Sequence, residues 1–276
     1  PFVKRIIDIY RFKTMLALSA EQTVESAVIP IYHLSDRRQT LEQIASGVIV
    51  RIKNEYFILS ASHVFDQIGD YALCTGVGNG ENVIQLPGER FSSPKGLSGT
   101  HSDDVIDASA YHIQCDIPES LRKLAITIED FDTEKNDNSK DLIIHLASGF
   151  RIKKSNTAGN AIRSKREAFA TTEVNDEYYE ILGLDSNTHI VLAYGEQFLV
   201  DNRWQLAPIP KGFSGGAIIK VVPIKTTTGV IYKQKLTGII TEHRKKTEKI
   251  DGVLIGTRAD VHLACIKKYM SNLLSL

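Results

Sequence analysis

The sequence predicts a mainly β protein of antiparallel barrel or sandwich type, with a helix near each end. Three observations carry this. Short runs of β-branched and aromatic residues recur along the chain, polar turns separate them, and no long helices alternate with them as a parallel α/β sheet would require. With 276 residues and 42% hydrophobic composition, the chain can bury a real core in one large or two small units.

The elements follow in order. Phe2, Ile6, Ile9 and Leu16 keep near a helical rhythm with Lys4, Arg5, Arg11 and Lys13 between them, which predicts an amphipathic helix over 2–18. Packing against the body is the expected use of its apolar residues, ahead of an acidic membrane surface. Ser19 and Gln22 have capping-box spacing, so a second short helix is expected from Ser19. Residues 1–26 are thus read as an N-terminal helical extension. Strand signals then run at 27–32, 47–52 and 56–59, with Lys53-Asn54-Glu55 as a hairpin turn between the last two. Further strands are expected at 141–146, 178–182, 189–194, 217–222, 230–233, 238–241 and 253–257. Residues 129–140 are too polar for a core and read as a link. Val261 to Leu274 reads as a terminal helix docking through Ile266, Tyr269 and Leu273. The working division is a first unit at 27–128, the link at 129–140, and a second unit at 141–276.

Bulk charge narrows the partners. Lys plus Arg and Asp plus Glu both total 33, so no net field attracts nucleic acid or acidic lipid. The Arg244-Lys245-Lys246 run, flanked by Glu242 and Glu248, reads as a solvated loop. Cys74, Cys115 and Cys265 are widely spaced and form no CxxC pattern, so they read as small, partly buried apolar residues in a reducing, cytoplasmic setting. No run approaches the ~18 apolar residues of a membrane span. Arg11 and Lys13 interrupt what would be a signal-peptide core. The chain starts at Pro1, so a missing leader or upstream domain stays open.

The chemistry concentrates in three places. In Lys211-Gly212-Phe213-Ser214-Gly215-Gly216-Ala217, three glycines around one serine permit a tight turn that exposes the hydroxyl and adjacent N–H groups. Such a turn suits stabilisation of negative charge on a carbonyl oxygen. A Gly-x-Ser-x-Gly elbow would need a helix directly after the serine; Ala217 to Val222 reads as a strand, although Asp251 and His262 would satisfy the elbow's chain order. The second place is Tyr56 to Val64, an apolar strand running through Ser60-Ala61-Ser62 into His63, where a general base would sit on a rigid element. The third is Asp107, 44 residues after the histidine, a carboxylate able to orient an imidazole. Asp103 and Asp104 are fallback carboxylates.

The order His63, Asp107, Ser214, with the Ala-Ser-His-Val and Gly-Phe-Ser-Gly-Gly motifs, resembles the trypsin-like (chymotrypsin-fold) serine peptidases from about Ala27 to the C-terminus. Ser46-Gly47-Val48-Ile49-Val50 ahead of the histidine strand is similar to bacterial, HtrA-like members, here without the PDZ domain that HtrA proteins carry after the peptidase. The resemblance implies two six-stranded antiparallel β-barrels with the triad in the cleft between them, an oxyanion hole at Gly212 and Ser214, and a substrate-pairing strand at Thr241, Glu242 and His243. It implies a polypeptide substrate and requires no metal or organic cofactor.

Departures from the family refine this. Phe213 replaces the aspartate that binds a newly cut N-terminal amine in digestive proteases, so activation by that route is not expected. Val64 replaces a cysteine common after the histidine. Pro208, six before Ser214, removes the acid of a trypsin-like pocket, while His243, Arg244 and Lys245 would favour an acidic side chain. The expected function is a serine endopeptidase with a possible regulatory protein partner, by analogy with bacterial effectors of stress or defence systems. The alternative is an inactive protease-fold module binding peptides or proteins in its cleft by strand addition.

Overall fold

β-Branched and aromatic runs become strands because their side chains fill the faces of a pleated, half-buried surface. The computed structural model describes residues 2–35, 40–69, 73–77, 82–132, 142–152, 164–195, 197–200, 203–206 and 209–274. Two helices, α1 (Phe2–Ser19) and α2 (Thr23–Ser26), precede seven strands: β1 (Val28–Ser35), β2 (Thr40–Ile52), β3 (Glu55–Ala61), β4 (Leu73–Val77), β5 (Asn82–Leu86), β6 (Gly88–Ser92) and β7 (Ala108–Ile113). Helix α3 (Ser62–Ile68) follows β3 directly, and α4 (Glu119–Arg122) follows β7. These strands form one antiparallel sheet in the order β5-β4-β1-β2-β3-β7-β6.

The second antiparallel sheet has the order β10-β15-β14-β13-β8-β9. Its strands are β8 (His145–Phe150), β9 (Arg166–Thr171), β10 (His189–Ala193), β13 (Ala217–Thr226), β14 (Gly229–Arg244) and β15 (Val253–Arg258). A two-stranded ribbon, β11 (Gln197–Val200) with β12 (Arg203–Leu206), stands apart. Helix α5 (Asp176–Leu182) precedes β10, and α6 (Ala259–Tyr269) follows β15. The chain is thus mainly β with a helical N-terminal segment and a C-terminal helix. The sheets have seven and six strands and are not closed, an arrangement consistent with the two-barrel chymotrypsin-like fold. The first sheet exceeds the expected six strands.

One apolar core joins both sheets: Val48, Val50, Phe57 and Leu59 of the first sheet with Leu146, Ala217, Ile219 and Leu236 of the second. A smaller cluster inside the second sheet gathers Ala147, Ile190, Leu192, Phe213, Ile218, Ile240 and Leu254.

Several expectations shift. Tyr178 to Leu182 is helical, because Asp176 and Glu177 occupy a first turn, Gly183 (φ 66°) terminates it, and Tyr179 alone is buried. The Ser19 capping box does not form; Ser19 Oγ bonds Leu16 O, and the short helix starts at Thr23. The runs at 230–233 and 238–241 are parts of one long β14. Within the expected link, Glu129 and Asp130 lie in a 3-10 turn and Phe131 is buried beside Leu236, so this part is anchored; residues 133–140, like Asp141 of the strand expected at 141–146, lie outside the described residues. Helix α1 packs through Ala17 and Tyr10, while Ile6 and Ile9 are exposed. At the other end Ile266 is buried, whereas Tyr269 is half exposed and stacks on Phe91 at 4.8 Å. No cysteine forms a disulfide, and Cys115 is exposed rather than partly buried.

Candidate active site

Strand β3 delivers His63 to the cleft, because its apolar residues bury the strand and α3 begins at the next residue, placing His63 in the first helical turn. Asp107 stands at the start of β7, which pairs with β3. Its φ of 49° is in the left-handed region, a conformation aspartate tolerates better than most residues and one that turns its side chain back over α3. There the carboxylate grips His63 twice. Oδ2 lies 2.6 Å from Nδ1, and Oδ1 accepts the His63 backbone N–H at 2.9 Å. The Asp107 carbonyl also accepts the Ser62 N–H at 3.1 Å.

The fallback carboxylates are engaged elsewhere. Asp103 accepts bonds from Ser98, and Asp104 accepts from Ser93 Oγ and from the Ile106 N–H. The elbow partners are remote as well: Asp251 pairs with Lys246 at the surface, and His262 is buried in α6 near Ser60 O.

Ser214 occupies a turn whose two glycines are demanded by space and backbone alike. Gly215 has φ 83°, and a Cβ there would lie 1.9 Å from Ser46 O; Gly212 has φ 95°, and a Cβ would lie 2.6 Å from Phe150 O. The peptides before Gly212 and Ser214 are each anchored through their carbonyls. Lys211 O accepts the Ile152 N–H at 2.9 Å, and Phe213 O accepts the Gly216 N–H at 2.7 Å. In a trans peptide the N–H points opposite to the carbonyl. Among the described residues neither Gly212 N–H nor Ser214 N–H has an acceptor in the protein, so both donors remain for an oxygen from outside.

Ser46, which sequence reasoning noted only within a family-like run, ties this turn to the first sheet. Its N–H donates to Ser214 O (2.9 Å), its hydroxyl donates to Gly212 O (2.8 Å) and accepts from the Phe150 N–H (2.8 Å), and its carbonyl accepts from Ser60 Oγ (2.9 Å). Phe213 is buried against Phe169, with ring centroids 5.4 Å apart. The turn is therefore pinned by apolar burial at Phe213.

His63 and Ser214 both line two adjoining cavities of about 880 and 510 Å3. Ser214 Oγ lies 3.4 Å from Thr241 O and makes no hydrogen bond to His63. Such contacts are commonly loose before substrate binds. Of the substrate-strand candidates, Thr241 is buried with its carbonyl toward Ser214, Glu242 is exposed and bonds Arg244 at 2.9 Å, and His243 stands edge-on to Tyr194 and lines both cavities. Strand β14 pairs with β13 up to Ile239 and with Gly215 and Gly216 at Ile240, so from Thr241 onward it has an edge that β13 does not cover. Pro208 lies outside the described residues.

Electrostatics make His63 a stronger base than a free imidazole. Burial pushes its imidazole down, but the Asp107 hydrogen bond and charge, with smaller help from Asp66 and Glu242, outweigh that and leave it above the ordinary value. Burial pushes the Asp107 carboxyl up, only partly offset by His63. Burial and Lys245 hold His243 below its ordinary value, against Glu242. Among the described residues no cluster of His, Cys, Asp and Glu could hold a metal ion, and no helix is long and apolar enough to cross a membrane.

No protein-family model and no curated protein sequence matches the chain. Many solved structures do match its shape. One is neuropsin, a serine protease expressed in the limbic system of mouse brain, similar with a TM-score of 0.56 at 14% identity over 91% of this chain and 97% of that one. At that identity the likeness shows the fold, that of the trypsin-like serine proteases, and nothing of the chemistry.

Proposed function

We propose that the chain is a serine endopeptidase with Ser214 as nucleophile, His63 as general base and Asp107 as the carboxylate that orients it. The observation that carries this reading is the double grip of Asp107 on His63 in a cleft shared with Ser214 and two unsatisfied backbone N–H groups. With Nδ1–H held by Asp107, Nε2 is the free basic nitrogen. It takes the Ser214 proton as Oγ attacks the peptide carbonyl, and the resulting oxyanion is held by the N–H groups of Gly212 and Ser214. Collapse expels the amine, which leaves with the proton from His63, and water then attacks the acyl-enzyme by the same route in reverse. The free edge at Thr241, Glu242 and His243 supports backbone pairing with an extended polypeptide. Nothing in this route calls for a cofactor. The finer assignments, an HtrA-like type and a partner-regulated role in stress or defence, rest on the Ser46-Gly47 run and on analogy alone.

The competing reading, an inactive module that binds peptides in the cleft, has one observation in its favour: Ser214 Oγ turns to Thr241 O instead of His63. A fluorophosphonate probe separates the two. Wild type is expected to label at one serine and Ser214→Ala not at all; a folded wild type that stays unlabelled would sink the enzyme reading.

A further inference from the structure

The loop from Ser93 to Ile106 roofs one side of the cleft, where Thr100 to Val105 line the larger cavity with His63 and Ser214. Its tip buries little, and Ser102 and Asp103 are exposed. Among the described residues, the hydrogen bonds of residues 94–103 stay inside the loop, such as Gly96 N–H to Thr100 O (2.9 Å) and Ser98 N–H to Asp103 Oδ2 (2.9 Å), with one exception. That exception is His101, whose ring is buried. Its backbone N–H donates to Asp66 Oδ2 at 2.8 Å, its Nδ1 lies 3.0 Å from both Asp66 oxygens, and its Nε2 lies 3.1 Å from Ser93 O. Asp66 sits on α3, three residues after His63.

We propose that Asp66 and His101 form a latch that positions this loop over the cleft and so holds the polypeptide segment lying beneath it; this rests on the peptidase reading. An isolated surface ion pair contributes little, but here the ring is buried and the carboxylate accepts both a backbone and a side-chain N–H, the charge-assisted geometry that contributes most. Burial pushes the Asp66 carboxyl up, and the bonds from His101 more than reverse that. The helix that carries the base is thereby tied to the loop that ends at the orienting carboxylate. Asp66 and His101 are positioning residues and touch no reacting atom.

Two readouts test the latch. Amide hydrogen exchange needs no activity: His101→Ala is expected to speed exchange at 94–104 on the order of tenfold while β3 and β7 keep their protection. Asp66→Asn, whose amide keeps an acceptor for the His101 N–H but removes the charge, is expected to speed exchange over the same residues by less than His101→Ala does. Unchanged exchange in His101→Ala overturns the proposal. In labelling, His101→Ala is expected to raise the half-saturating concentration of a mixed tetrapeptidyl phosphonate about tenfold and leave the rate with a small alkyl fluorophosphonate unchanged. Equal losses with both probes would overturn the role at the cleft. A wild type that no phosphonate labels defeats the peptidase reading instead, and is recognisable because the exchange difference survives it.

Discussion

At the scale of single residues, the unequal legibility of Ser214, His63 and Asp107 has a physical cause. Glycines around a serine and an apolar strand running into a histidine are local patterns, visible because the backbone demands of a turn and a buried strand are local. Asp107 carries no such pattern. Its left-handed φ and its approach to α3 come from the pairing of β3 with β7, a contact between residues far apart in sequence. Its grip on His63 sets the expected pH response. Because His63 titrates above its ordinary value of 6.5, activity should fall as pH drops through a midpoint higher than that of a free imidazole. Asp107→Asn removes the largest raising contributions and leaves burial in command, so the midpoint should move to lower pH, with kcat down by roughly 10^4. Labelling rate against pH measures the midpoint and peptide turnover measures kcat; a midpoint that stays put in Asp107→Asn would show that the carboxylate does not control the base.

At the scale of elements, the turn 212–216 is held by packing as much as by hydrogen bonds. Phe213 fills the second apolar cluster and Gly215 fits against Ser46 O, so the turn is a cap on the core whose shape the core dictates. Phe213→Ala is expected to cost about 3–5 kcal/mol in urea unfolding, and to slow labelling of the molecules that remain folded, because the Ser214 N–H loses its fixed direction. Full labelling rates in a folded Phe213→Ala would show that burial there is irrelevant to the donors. The element misread from sequence is equally instructive. Tyr178 to Leu182 is rich in aromatic and β-branched residues, yet Asp176, Glu177 and Gly183 supply helix ends, and end signals won over intrinsic strand preference.

At the scale of the whole molecule, the apolar core shared by both sheets encloses ionisable groups that the native state keeps neutral. Burial, with Lys220 and Arg258 nearby, drops His145 to about 3, and burial drops His262 to about 4 despite two carbonyls and Asp260. Above the unfolded value of 6.5 this has no effect on stability; below it the unfolded chain binds protons that the native state refuses. Stability should therefore fall between about pH 6.5 and 4 by roughly 1.4 kcal/mol per pH unit for each histidine. Urea titrations at several pH values measure the slope, which His145→Leu should reduce by one proton; an unchanged slope would mean that His145 is not the group. By itself the sequence determined the mainly β class, most strands of the second sheet, and the serine and histidine motifs, since period, turn chemistry and local backbone demand act over a few residues. Tertiary structure alone decided β4, β5 and β6 of the first sheet, the double contact of Asp107 with His63, and the role of Ser46 in joining the two sheets behind Ser214. Each of these depends on which distant segments meet, and that is settled by the burial of a common core, which no local pattern encodes.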